Sequence, residues 1–141
     1  MINLMLGELI YESKGKVTGQ RILSTENAVP KIELSVKGKG TLNGSTEVTE
    51  IWTYWNMQRS NGITYGEGQG VLTTIDGSDV ATATGRGIGK LTNSGLIRWH
   101  GTIFFLTNSN DRLAFLDHLI GVNEDEVDAS GSYVHKLWEW K

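Results

Sequence analysis

The stretch "YGEGQGVLTTIDGSDVATATGRGIGKL", residues 65–91, sets glycine at 66, 68 and 70 and again at 85, 87 and 89. Asp76-Gly77 lies between the two runs and suits a tight reversal. Alternate side chains of a strand point to opposite faces, so each run bares one face of one strand. With Asp76-Gly77 as the turn, Gly68 faces Gly85, Gly66 faces Gly87, and Glu67 meets Arg86 on the reverse side. Glycine in a strand costs about 0.5–1 kcal/mol relative to alanine, so a bare strip needs a reason. Two stand open: curvature and room for bulky side chains, or an interior space for a flat or apolar ligand. A phosphate loop is excluded. "TGRGIGKL" has Thr84 where the first glycine is required and Leu91 in place of Ser or Thr, and no helix is predicted after it.

The alternation extends in both directions. Residues 31–42, "KIELSVKGKGTL", place Ile32, Leu34, Val36, Gly38, Gly40 and Leu42 on one face and charged or polar residues on the other. Gly38 and Gly40 share the aliphatic face, so the glycine face is the inner one. Taken as two-residue turns, Asn43-Gly44 and Asn61-Gly62 turn Ile51, Thr53, Trp55 and Met57 inward on the strand between them. "NSG" (93–95), as a three-residue loop, carries the inner face to Trp99, Gly101, Ile103 and Phe105. Trp52 and Tyr54 then face out, beside Val71 and Ile88, as an exposed patch suited to self-association.

Residues 7–24 read as one long bent strand, with Gly15 and Gly19 as bulge marks. Residues 109–121, "SNDRLAFLDHLIG", are predicted to form the only helix, with its core near 110–120. Leu113, Leu116, Leu119 and Ile120 share a stripe, Asn110 or Asp111 can cap the start, and Gly121 can end it. Segments 121–128 and 132–140 make a last hairpin. About eight strands in consecutive hairpins are best satisfied by closure, which removes sheet edges. The predicted fold is therefore all-β: a single domain over residues 1–141, an eight-stranded antiparallel meander closed into a barrel with the helix across one mouth.

The 141 residues carry a net charge of −3, without a block of Lys or Arg, which argues against nucleic acid or an anionic membrane as partner. No cysteine is present, so disulfides and thiolate chemistry are excluded, and a cytoplasmic location is expected. The opening "MINLMLGELIYE" lacks a basic n-region, and its apolar run breaks at Gly7 and Glu8; it does not read as a signal peptide. No metal site or cofactor is expected, since His100, His118 and His135 lack ligand spacing. His100 and His118 are read as surface residues.

His135 has two readings. With Ser130-Gly131 as the turn it lies opposite Glu126, with Glu124 and Glu139 on the same face; turned inward, that face would be a proton-transfer or metal site. The opposite choice, with Val127, Val134, Trp138 and Trp140 inward, buries more apolar area and is the expected one. Glu50 is expected in a surface ion pair with Lys37. "NGS" at 43–45 is read as a turn rather than a glycosylation acceptor.

The segments "YGEGQGVLTT", "GRGIGKL" and "GLIRWHGTIFF", with the closing "WEWK", resemble small prokaryotic proteins of unknown function built on the allene-oxide-cyclase-like, calycin-like barrel. The resemblance spans most of residues 7–140. It implies a barrel able to enclose an apolar molecule and to form homo-oligomers; no catalytic residue of the plant cyclases maps onto a position here. The expected function is binding of a small apolar molecule by Thr53, Trp55, Met57, Gly68, Gly87, Trp99 and Phe105. The alternatives are an isomerase or cyclase using Tyr11, Glu124 or His135, and a filled barrel serving as an interaction module.

Overall fold

The computed structural model describes residues 6–141. Residues 1–5, part of the opening stretch that does not read as a signal peptide, lie outside the described residues. The strands run β1 (Leu6–Ser24), β2 (Lys31–Leu42), β3 (Thr46–Gln58), β4 (Ile63–Thr74), β5 (Val80–Leu91), β6 (Ile97–Thr107), β7 (Ile120–Val127) and β8 (Ser132–Trp140). Each pairs antiparallel with the next, and β8 returns to β1, closing the barrel. Closure joins the first and last strands and so removes the open ends of the sheet, while the second half of β1, from Gly19 to Ser24, pairs with β2 alone. Among the described residues, no helix is long and apolar enough to cross a membrane.

Gly68 does pair with Gly85 and Gly66 with Gly87, while Glu67 and Arg86 meet outside at 3.8 Å. The glycines face inward, as expected. β3 does not follow the expected register. Leu42 pairs with Thr46, and Gln58 pairs with Thr64 across an Arg59 N–H···O=C Ile63 bond of 2.6 Å. Asn43, Gly44, Asn61 and Gly62 have the positive φ that a tight reversal needs. Each loop nevertheless spans three residues, 43–45 and 60–62, and the additional serine lies on the β3 side in both. One residue of slip exchanges the faces of a strand. Glu50, Trp52, Tyr54 and Asn56 therefore point into the barrel, and Ile51, Thr53, Trp55 and Met57 point out. The two errors cancel between β2 and β4, which is why the glycine face survives.

The expected helix is absent. Leu113, Leu116 and Leu119 are buried, but their spacing of three is that of the tighter 3-10 turn. Leu116 N–H bonds to Leu113 C=O and Leu119 N–H to Leu116 C=O, each at 3.0 Å, around a single turn at Ala114–Leu116. His118 then takes φ 61°, and Ile120 opens β7 facing out. The segment still crosses one mouth. Its three leucines join Ile10, Leu42, Val48, Leu72 and Phe105 in the core, and the Asp79 carboxylate accepts from Leu113 N–H (3.2 Å) and Ser109 Oγ–H (2.7 Å), tying this plug to the β4–β5 turn.

β1 matches its expected extent. Its register against β2 shifts between Val17 and Gly19, while Gly15 sits in regular pairing with Gly38 and Tyr133. Gly15 is bare because a Cβ there would strike Lys37 C=O and the Tyr133 hydroxyl.

Candidate functional site

The leucine plug fills one half of the barrel. In the other half lies a half-open cavity of about 120 Å³. Trp52, Tyr54 and Trp99 form its walls together with Val17, Val36 and Ile103, against the main chain of Gly66, Gly68, Gly85 and Gly87. The bare strip first serves the neighbouring aromatics: a Cβ on Gly70 would fall within the Trp52 ring, one on Gly68 against Tyr54 Cβ, and one on Gly89 at 2.7 Å from the Trp99 ring. The space beyond those rings is the cavity.

Polar groups gather at its inner end. Glu50 is 1% exposed. Its Oε1 accepts from the Tyr11 hydroxyl (2.9 Å) and from Trp52 Nε1–H (3.1 Å), and its Oε2 accepts from the Tyr133 hydroxyl (2.6 Å). Hydrogen bonds to a carboxylate are worth about 1.5–3 kcal/mol each and offset part of its desolvation. Burial pushes the Tyr11 and Tyr133 hydroxyls far above the usual phenol range, and the Glu50 charge and hydrogen bonds push the same way, so both remain donors. Tyr54 is pushed up to about 12, by burial first and by the Asp125 charge second.

The last hairpin also turns on a three-residue loop. Asp128 N–H bonds to Ser132 C=O at 3.0 Å around 129–131, with Gly131 at φ 88°. Tyr133, His135 and Leu137 consequently face in, and His135 stands opposite Asp125, not Glu126. Of the apolar set expected inside, Val127 does line the cavity, but Val134 and Trp140 are exposed; Lys136 shares the face of Val134, Trp138 and Trp140 and would have been buried with them. His135 Nδ1 meets Asp125 Oδ1 at 2.5 Å, and Asn123 Nδ2–H donates to the same oxygen at 3.1 Å. Burial lowers the His135 pKa, but the Asp125 charge and hydrogen bond, with the Glu50 charge, outweigh it and hold the imidazole above its ordinary value. Tyr11 packs edge-on against the His135 ring at 5.6 Å. His135 Nε2, Ser13 Oγ and Asn56 Oδ1 are buried without a hydrogen-bond partner among the described residues.

The expected ligand-binding set is thus divided. Gly68, Gly87 and Trp99 line the cavity; Thr53, Trp55 and Met57 lie on the outside of β3, where Lys31 Nζ stands 4.2 Å over the Trp55 ring. Phe105 is fully buried in the plug half and is no part of the cavity wall. Of the proposed catalytic candidates, Tyr11 and His135 meet inside, while Glu124 is outside, 3.0 Å from His100. Glu50 is no surface ion pair with Lys37, and the outward Trp52–Tyr54 patch does not exist. Glu50, Trp52, Tyr54, Asn56, Asn123, Asp125 and Tyr133 were missed. Two signals pointed to them: Lys136 on the wrong face of β8, and a serine flanking each Asn-Gly pair. Among the described residues, no three His, Cys, Asp or Glu side chains are grouped to hold a metal ion.

No family model matches the chain, and no curated protein matches it. Its fold is that of several solved structures. A protein of unknown function from Clostridium acetobutylicum superposes with a TM-score of 0.79 at 13% identity over 100% of both chains. A β-barrel-like protein from Acinetobacter baumannii AYE gives 0.78 at 14% identity, covering 96% of this chain and 95% of its own. A conserved protein of unknown function from Rhodopseudomonas palustris gives 0.73 at 13% identity, covering 95% and 97%. At such identities the likeness shows the barrel alone.

Proposed function

We propose that this chain binds a small, mainly apolar molecule in the open half of the barrel. The observation that carries the reading is the cavity of about 120 Å³ with aromatic walls and a few convergent polar groups at one end. An apolar cavity of about 150 Å³ takes up benzene, so the ligand, or the part of it held inside, is of that order. Trp52 and Trp99 supply rigid contact area, and the glycine main chain lets a flat molecule lie close to the wall. The kinship with allene-oxide-cyclase-like, calycin-like barrels belongs to this proposal, supported by glycine spacing and strand order.

Native mass spectrometry of protein from its own host, together with tryptophan fluorescence in the presence of benzene, tests it. A retained small mass, or a benzene-dependent change that the cavity-filling Val36→Phe variant abolishes, is expected. Neither in the wild type would refute the reading. Self-association is proposed to use Ile51 and Val71, paired neighbours on the outer face; sedimentation gives the subunit count.

A second reading, proton-transfer isomerisation of the bound molecule, is favoured by the inward His135–Asp125 pair beside Glu50. Solvent deuterium entering a retained ligand, and failing to enter in His135→Asn, separates an isomerase from a binder.

A further inference from the structure

His135 and Ser13 occupy paired positions on β8 and β1, both facing in. They are 5% and 3% exposed, and each has a polar atom, Nε2 and Oγ, without a partner among the described residues. A buried donor left unsatisfied costs about 1–3 kcal/mol, and His135 is itself part of the cavity lining. Asp125 occupies Nδ1 at 2.5 Å and thereby fixes the ring so that Nε2 is the free nitrogen. We infer that the buried end of the cavity receives the oxygen of a neutral carbonyl compound, with His135 Nε2–H as donor. This rests on the proposal that the cavity binds a small molecule, and it names the chemical class.

The charges around the ring select that class. Asp125 on β7 and Glu50 on β3 are acidic; Tyr11 on β1 and Tyr133 on β8 are neutral phenols; Ser13 is uncharged. The Asp125 and Glu50 charges favour the imidazolium form, in which both ring nitrogens are donors. Two carboxylates against one imidazolium repel a third anion, so a carboxylate ligand is disfavoured. An ammonium has no lone pair to accept from Nε2–H. A neutral ketone, aldehyde or ester oxygen satisfies the donor, and the rings of Trp52, Tyr54 and Trp99 surround its apolar body.

Four molecules sharing one ring test this on the full chain: cyclopentanone, cyclopentane, cyclopentanecarboxylate and cyclopentylammonium. Affinities and the His135 ring-nitrogen resonances are read by NMR on nitrogen-15-labelled protein. At about pH 6, cyclopentanone is expected to bind at least about tenfold tighter than cyclopentane, the step one charge-assisted hydrogen bond makes, and to shift Nε2. The advantage is expected to vanish as pH rises through the folded His135 pKa, which lies above about 6.5. His135→Gln should remove the pH dependence; if that variant does not fold, the wild-type series decides. Equal affinity for cyclopentane with Nε2 unmoved overturns the carbonyl assignment and leaves the cavity reading standing; tighter binding of the carboxylate or the ammonium does the same. Binding of none of the four defeats both.

Discussion

The inversion of β3 is open to a direct test through two adjacent residues. Glu50 lies inside at 1% exposure and Ile51 lies outside at 53%. Replacing Glu50 by leucine keeps the bulk and strands three donors: the hydroxyls of Tyr11 and Tyr133 and Trp52 Nε1–H. Each buried orphan costs about 1–3 kcal/mol. Water entering the half-open cavity can reach some of them, so the expected loss is about 3–5 kcal/mol. Glu50→Gln keeps an acceptor for Tyr11 and Trp52 and forces only the Tyr133 hydroxyl to turn, for a loss of about 1–2 kcal/mol. Ile51→Lys, on the outer face, is expected to stay within about 0.5 kcal/mol. With the opposite register the order reverses. Glu50 would then be an exposed member of a surface pair worth at most about 1 kcal/mol, and Ile51→Lys would bury a charge at a cost of several kcal/mol. Urea unfolding followed by tryptophan fluorescence measures all three, with unchanged slopes as the check on two-state behaviour. A severe Ile51→Lys beside a mild Glu50→Leu would refute the register and, with it, the polar end of the cavity.

Gly70→Ala drives a Cβ into the Trp52 ring and is expected to lose about 1–3 kcal/mol by overpacking. Gly19→Ala meets nothing within 4 Å and is expected to gain up to about 1 kcal/mol through the unfolded chain; similar costs for the two in chemical denaturation would contradict an inward strip. The His135 pKa is raised in the folded protein, so its contribution to stability is complete below the unfolded value near 6.5 and is lost as pH rises through the folded value. Unfolding measured across that window should show a decline that His135→Gln abolishes, and stability rising with pH there would reverse the sign argued for the Asp125 contact. Leu116→Ala opens a cavity at a fully buried plug leucine and is expected to cost about 2–5 kcal/mol; a melting temperature within a degree or two of wild type would show that the plug does not close the barrel.

Much of the architecture was written locally. Strand periods, turn dipeptides and the absence of any other helix-forming stretch suffice for an eight-stranded meander, because alternation and reversal are properties of a few consecutive residues. The Gly68–Gly85 pairing was legible for the same reason: one short turn connects the two strands, and its centre at Asp76-Gly77 sets glycine opposite glycine. The plug leucines were found but their helix was not, since spacing by three serves a 3-10 turn as well as one face of an α-helix.

The site was hidden by a different cause. Both faces of "EIWTYWNM" carry a tryptophan and a polar residue, so periodicity cannot orient this strand, and its direction hangs on whether a loop holds two residues or three. Side-chain direction alternates with every residue, so that single count carried Glu50, Trp52 and Tyr54 from the outside to the inside. The two Asn-Gly loops were wrong by one in compensating senses, and their agreement reflected a shared assumption. In the last hairpin the same count replaced Glu126 by Asp125 as the partner of His135. Which carboxylate meets which ring across the lumen is set by closure of the whole barrel, where β8 docks on β1 and positions far apart in the chain come within hydrogen-bonding distance.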